Sequence, residues 1–207
     1  MPRPHVLEVN APLAEEQERT RGLEMKELAR ETEGRIFRAT DAVLAVSRHL
    51  GEFVASCGVP WSCIHIVPNG VDPRRFAAAS EQDGLDSSIR ARLRGRCVVG
   101  FVGSLKPWHG TETLLEAFRA LRSSTPDVHL LVVGDGPGRA QLESCVRTDG
   151  LGDSVTFTGA VPHDEIPRLL AAMDIATAPY TPNSNFYFSP IKIFEYMAMG
   201  KPVVAGR

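Results

Sequence analysis

The stretch CVVGFVGSLKPWHGTETLLEAFRALRSSTPDVHLLVVGDG, Cys97–Gly136, decides the fold. Two short apolar runs, CVVGFVG and VHLLVVGDG, each end on glycine, and an amphipathic segment separates them. In that segment, TETLLEAFRALRS, the residues Leu114, Leu115, Phe118 and Leu121 recur at helical spacing and form one apolar face. A strand, a helix and a second strand follow, and neither strand alternates polar with apolar residues. Such strands are buried on both faces, which predicts an α/β fold with a parallel sheet covered by helices on each side.

The same rhythm continues outward. Downstream, PGRAQLESCVRT reads as a helix with proline at its first position, SVTFTG as a strand, DEIPRLLAAM as a helix and DIATAP as a strand. SPIKIFEYMAMG is a further helix and PVVA a last strand. Upstream, DAVLAVS is a strand whose Ser47 caps the helix RHLGEFVAS, and IHIVPNGVD is a strand closed by a Pro-Asn-Gly turn. Between Pro12 and Arg38, Leu23, Leu28 and Ile36 are spaced for a helix with a charged, solvated face. Residues 73–96 are polar and weakly patterned, and AAASEQDGLDSS reads as a linker. The expected organisation is therefore a first segment over 1–72, a linker leading onward over 73–96, and a doubly wound domain over 97–207.

Composition narrows the function classes. The chain has 207 residues, 43% hydrophobic, with a formal net charge of −2. That length fits one domain, or one and part of another, and the charge gives no sign of a nucleic-acid partner. No apolar run is long enough to span a bilayer, and the N-terminus lacks the apolar core of a signal peptide. Cys57, Cys63, Cys97 and Cys145 form no CxxC pair, so they read as reduced thiols of a cytoplasmic protein, with Cys97 in the core. The six histidines show no zinc spacing, and no metal is expected. His65 and His129 fall inside strands and read as core or edge residues.

In open parallel sheets, ligands bind beyond the C-terminal ends of the strands. The loops there are GSLKPWHG, GDGPG, GAVPH and YTPNSNFYFSP. The helix after the last loop carries an oddity. Ser189 suits the N-cap, Pro190 the first position and Gly200 the C-terminal stop. Lys192 then lies in the first turn, where its charge opposes the helix dipole. It precedes Glu195 by three residues, the weaker order for a helical pair. An anion at the helix N-terminus would resolve the conflict, because free N–H groups and a lysine together favour phosphate. A solvated surface Lys–Glu pair is the alternative.

Other chemistries fit less well. GDGPGRAQLE matches a dinucleotide fingerprint at Gly134 and Gly136, but its third glycine is replaced by Arg139, and no acidic residue stands where the ribose would need one. Neither a P-loop nor a GxSxG nucleophile motif occurs. Gly134, Gly136 and Pro137 read as turn-shaping residues.

The ordered set VPNGVD, GFVGSLKPWHGTETLLEAF, LLVVGDGP, VTFTGAVPHDEIPRLLAAMDIATAPY and SPIKIFEYMAMGKPVVA resembles glycosyltransferase family 4, over roughly residues 40 to 207. The resemblance implies a GT-B fold and metal-independent, retaining sugar transfer. It implies a C-terminal Rossmann-like domain, largely present, with only the tail of the N-terminal acceptor-side domain. The donor would be a nucleoside-diphosphate sugar and the acceptor a hydroxyl on a glycan, lipid-linked or small molecule. No other cofactor is implied. By the same resemblance, Glu195 would bond the ribose hydroxyls, Lys192 would face phosphate, and Ala160 and Val161 would meet the base through backbone groups. Gly103 would open the diphosphate loop. Backbone N–H groups of Phe188 and Ser189 would meet the donor sugar.

Three positions depart from the family pattern. Ser104 and His109 stand where an arginine and a lysine usually clamp the diphosphate, and Tyr187 stands eight before Glu195, where a glutamate is usual. Lys106 is either the replacement cation or an ordinary loop lysine, and Trp108 either packs the loop or stacks at its rim. No catalytic residue is assigned, because the acceptor side that would supply it is expected to lie outside this chain. The chain reads as a fragment, or as a split or mis-started gene product, and a separate chain carrying the missing N-terminal half is an expected partner. Three readings follow: a transferase, peripheral at the inner membrane face in its full-length form; a non-catalytic nucleotide-sugar-binding module; and, more weakly, a sugar-nucleotide epimerase of the same architecture.

Overall fold

The computed structural model describes residues 3–77, 85–180, 187 and 189–206. The chain packs as two compact units, Met1–Gly70 with Asn183–Pro190, and Val71–Pro182 with Ile191–Arg207.

The first unit contains β1 (Val6–Val9), α1 (Leu13–Arg21), α2 (Lys26–Arg38), β2 (Ala42–Ala45), α3 (Arg48–Ser56) and β3 (Ile64–Ile66). Its strands form a parallel sheet in the order β1-β2-β3. Ser47 caps α3 as its sequence predicts, its hydroxyl accepting from the Leu50 N–H at 3.1 Å. The helical stretch expected between Pro12 and Arg38 is broken, because Gly22 adopts φ +74° between α1 and α2. Val43, Ala45, Leu50, Val54 and Phe37 form the core of this unit. Leu28 and Ile36 remain largely exposed.

The second unit contains α4 (Arg74–Ala77), α5 (Ser87–Leu93), β4 (Cys97–Val102), α6 (Thr111–Ser124), β5 (Val128–Val133) and α7 (Arg139–Thr148). It continues with β6 (Val155–Gly159), α8 (Ile166–Ala171), β7 (Ile175–Ala178), α9 (Ile191–Ala198) and β8 (Val203–Ala205). All five strands are parallel, in the order β6-β5-β4-β7-β8. The order reverses between β4 and β7, the switch point where such sheets open a crevice.

Side-chain alternation explains the double cover. Val98 and Val102 of β4, with Leu131 and Val133 of β5, pack with Leu169 and Leu170 of α8 and Tyr196 of α9. Val99 and Phe101, with Leu130 and Val132, pack on the other face with Leu114 and Phe118 of α6 and Leu142 of α7. The apolar face predicted for TETLLEAFRALRS is the buried one, except that Leu121 is 38% exposed. Phe76 and Leu93, inside the stretch expected as a linker, are buried in this core. Part of that linker, residues 78–84, lies outside the described residues.

Cys97 is exposed rather than buried. It is the first residue of β4, where the covered part of the sheet has not yet begun. His129 of β5 is fully buried, between Thr156 Oγ1 at 2.9 Å and Arg96 Nη1 at 3.2 Å. Burial and the neighbouring arginines bring its pKa down to about 4, so it is a neutral core residue. His65 lies exposed in β3. Among the described residues, no helix is long and apolar enough to cross a membrane.

Candidate functional site

The C-terminal ends of β4, β5 and β6 are tied together by their own loops. The Gly103 N–H donates to the Val133 carbonyl, Leu105 to Asp135, and Gly134 to Gly159, at 2.9, 2.9 and 3.0 Å. Gly134 adopts φ +129°, and a Cβ there would lie 2.1 Å from the Gly103 carbonyl oxygen. Its missing side chain serves loop-to-loop packing, the turn-shaping role its sequence suggests.

Helix α9 is anchored against this edge by Tyr196. Its buried hydroxyl accepts the Val102 N–H at 2.9 Å and donates to the Thr177 carbonyl at 3.3 Å. The end of β4 and β7 are thereby bonded to one side chain of the helix. Gly200, at φ +64°, ends α9 as predicted, with the Lys201 N–H bonded back to the Tyr196 carbonyl at 3.0 Å.

This docking aims Lys192 at the turn after β4. A Cβ on Gly103 would lie only 2.7 Å from Lys192 Nζ, so glycine is the residue that leaves room. The ammonium sits 4.3 Å from the Phe101 ring centroid and 5.2 Å from that of Tyr180. It is buried and has no hydrogen-bond partner among the described residues. Burial pulls its pKa down to about 8, against the opposing pull of the Glu195 charge. The solvated Lys–Glu pair is thus not what forms. The aromatic faces supply some cation–π attraction, but all three N–H donors lack an acceptor.

The expected diphosphate loop is built differently from a two-cation clamp. His109 donates from Nδ1 to the Ser104 carbonyl and packs edge-on to Tyr180 at 5.7 Å. Burial, then the Lys192 and Lys106 charges, bring its pKa down to about 4, although its bond to Ser104 opposes this. A neutral imidazole holding its own loop therefore occupies that position. Lys106 lies over the Trp108 ring at 4.9 Å, and Trp108 packs against His109.

Glu195 is only 6% exposed at its side chain, and its Oε1 accepts from His163 Nε2 at 2.8 Å. His163 opens the 3-10 turn in the loop that follows β6, so the buried carboxylate lies against that turn. Ala160 of the same loop is exposed, while Val161 packs on the core below. The structure thus brings together Gly103, Ser104, His109 and Lys192, and separately Glu195 with His163. No sequence spacing pointed to His163 or to Tyr196.

Ser189 is a correction. Its hydroxyl accepts the Asn69 N–H at 2.9 Å, and its carbonyl accepts the Asn69 side-chain amide at 2.8 Å. Its hydroxyl is therefore engaged away from the capping role expected of it. Phe188 lies outside the described residues. Tyr187 is buried, and its hydroxyl donates to Glu16 Oε2 at 3.0 Å.

The sequence family described as Glycosyl transferases group 1 matches residues 96–207, more than half of the chain. This chain belongs to the group 1 glycosyl transferases. Residues 2–75 match the family described as Glycosyltransferase Family 4. Among relatives, the chain is 36% identical to a 2-deoxystreptamine glucosyltransferase of Streptomyces kanamyceticus, over 81% of this chain and 43% of that one. It is 33% identical to a GDP-mannose-dependent alpha-(1-6)-phosphatidylinositol monomannoside mannosyltransferase of Mycolicibacterium smegmatis, over 90% and 49% respectively. Among solved structures, Anabaena Alr3699/HepE in complex with UDP and glucose superposes with a TM-score of 0.71 at 26% identity, over 98% of this chain and 52% of that one. The chain spans about half the length of the curated relatives it matches. The GT-B-type α/β fold expected from the sequence is the fold of this group 1 member.

Proposed function

We propose that residues 97–207 form the donor half of a glycosyltransferase that moves a sugar from a nucleoside diphosphate to a hydroxyl acceptor. Residues 1–72 are then the acceptor-side segment, with 73–96 leading into the donor domain. Retention of configuration follows from the family resemblance. The observation that carries the reading is Lys192. A buried ammonium without an acceptor among the described residues, in the first turn of α9 and against the Gly103 turn, suits an anion. In the reaction, that anion is the departing diphosphate, whose growing charge the helix N-terminus and Lys192 stabilise together. Glu195, with lone pairs beyond the one His163 occupies, accepts the ribose hydroxyls as charge-assisted bonds. The solved complexes of Anabaena Alr3699/HepE with UDP and with UDP-glucose support a nucleotide-sugar ligand class.

The test is a calorimetric screen of UDP, GDP, ADP and dTDP against the 207-residue chain and its Lys192→Met variant. One diphosphate binds the native chain and loses at least tenfold in affinity with the variant, the scale of a charged hydrogen bond. Binding of none of them, or binding indifferent to Lys192, contradicts the reading.

A second reading, a nucleotide-binding module without turnover, has its own support. His109 is neutral and turned onto Ser104, and Tyr187 is buried on Glu16, so three usually charged positions carry no charge toward a donor. The first unit also holds an apolar groove of about 880 Å³, lined by Leu7, Leu13, Leu23, Met25, Leu28 and Ile36 among others. A groove of that kind suits an interacting chain. Nucleotide binding without sugar transfer, when a hydroxyl acceptor is supplied, would select this reading.

A further inference from the structure

We infer that His163 is a positioning residue for Glu195: it fixes the carboxylate so that the remaining lone pairs meet a ribose diol. The inference rests on the donor-site reading of Glu195 given above. It starts from a problem of burial. A carboxylate that is only 6% exposed needs a donor in place of water. Among the described residues, the side-chain donor that reaches Glu195 is His163, from Nε2 to Oε1 at 2.8 Å.

The histidine is itself held in place. Its Cα lies in the short 3-10 turn His163–Glu165, which runs directly into α8. Ile166, Leu169 and Leu170 of α8 are buried, so the turn cannot shift without moving core side chains. The His163 ring meets the buried Phe76 edge-on, with centroids 6.4 Å apart and planes at 78°. The ring, 56% exposed but resting against Phe76 on a fixed turn, thus presents one N–H to one oxygen.

A carboxylate offers two oxygens and about four lone-pair sites, and this bond fills one of them. Oε2 and the rest of Oε1 remain for a ligand. Without His163 the buried carboxylate loses the donor that sets its direction. With it, the side chain is oriented before the ligand arrives, which lowers the ordering cost of binding. His163 therefore acts through Glu195, and its effect is felt where a ligand carries hydroxyls for that carboxylate.

The test uses the full chain and whichever pair binds, UDP with 2′-deoxy-UDP or GDP with 2′-deoxy-GDP. The native chain prefers the ribonucleotide by roughly tenfold, the size expected of a hydrogen bond to a charged group. His163→Phe keeps a ring against Phe76 but removes the donor, and it erases the preference by weakening the ribonucleotide alone. His163→Gln restores an N–H donor and keeps the preference. Thermal melts of all three chains establish that they are folded. A preference that survives in His163→Phe, or an equal loss for both nucleotides, overturns the role of His163 alone. A tighter ribonucleotide complex in His163→Phe would show a competitor rather than a positioner. Absence of any preference in the native chain overturns the ribose reading of Glu195 as well.

Discussion

On the proposed donor-site reading, replacing Lys192 with methionine has opposite effects on the empty chain and on nucleotide binding. Methionine fills nearly the same space beside Phe101 and Gly103 without a charge. The sign comes from linkage. The folded chain holds Lys192 with a pKa of about 8, against 10.5 for the free side chain. Between those values the unfolded chain binds more protons, so this group's contribution to stability rises with pH through that window. At pH 7 the folded state carries the full penalty of a buried, unpartnered ammonium, about 3 kcal/mol. At pH 9.5 most folded chains have lost the proton, and the penalty falls to about 1 kcal/mol. Methionine removes the penalty at both values, and at pH 7 it also forfeits cation–π attraction, on the order of 1 kcal/mol. Net stabilisation by about 2 kcal/mol is therefore expected at pH 7, shrinking to about 1 kcal/mol at pH 9.5, where the neutral amine has no cation–π attraction to lose. Urea unfolding of both chains at the two pH values measures it. Nucleotide binding responds the other way, because a diphosphate restores the missing acceptor. Affinity of the native chain falls about tenfold between pH 7 and pH 9, a slope the variant lacks. A variant less stable than the native chain at pH 7, or a stability difference that does not change with pH, would refute the assignment of Lys192 as a charge awaiting an anion.

Two further substitutions test the scaffold that aims this lysine. Tyr196→Phe leaves the Val102 N–H without its acceptor in a buried position, and chemical denaturation should show a loss of about 1–3 kcal/mol, together with weaker nucleotide binding as α9 loosens. Gly134→Ala forces a side chain into the Gly103 carbonyl at a φ that favours glycine, and a loss of more than about 2 kcal/mol is expected in the same assay.

The strand–helix alternation was legible because parallel strands buried on both faces announce themselves as apolar runs of a few residues. Lys192 was legible as a local contradiction between a charge and a helix dipole. Its burial was not, since that depends on Phe101 and Tyr180, which lie far from it in sequence. His163 and Glu195 are 32 residues apart, and no periodicity connects a loop histidine to a helical carboxylate. Ser189 carried a correct local signal for a cap, but a tertiary bond from Asn69 claims its hydroxyl. Cys97 was misplaced because an apolar run says where a strand lies and not where its covered part begins. The stretch 73–96 lacked a pattern because only isolated residues, Phe76 and Leu93 among them, enter the core.

A crystal structure of the chain with its preferred nucleoside diphosphate is the most direct measurement. A phosphate oxygen within about 3 Å of Lys192 Nζ, with the ribose hydroxyls on Glu195, is the predicted result. A nucleotide bound elsewhere, with the ammonium still lying against Phe101 and touching no phosphate, would contradict it.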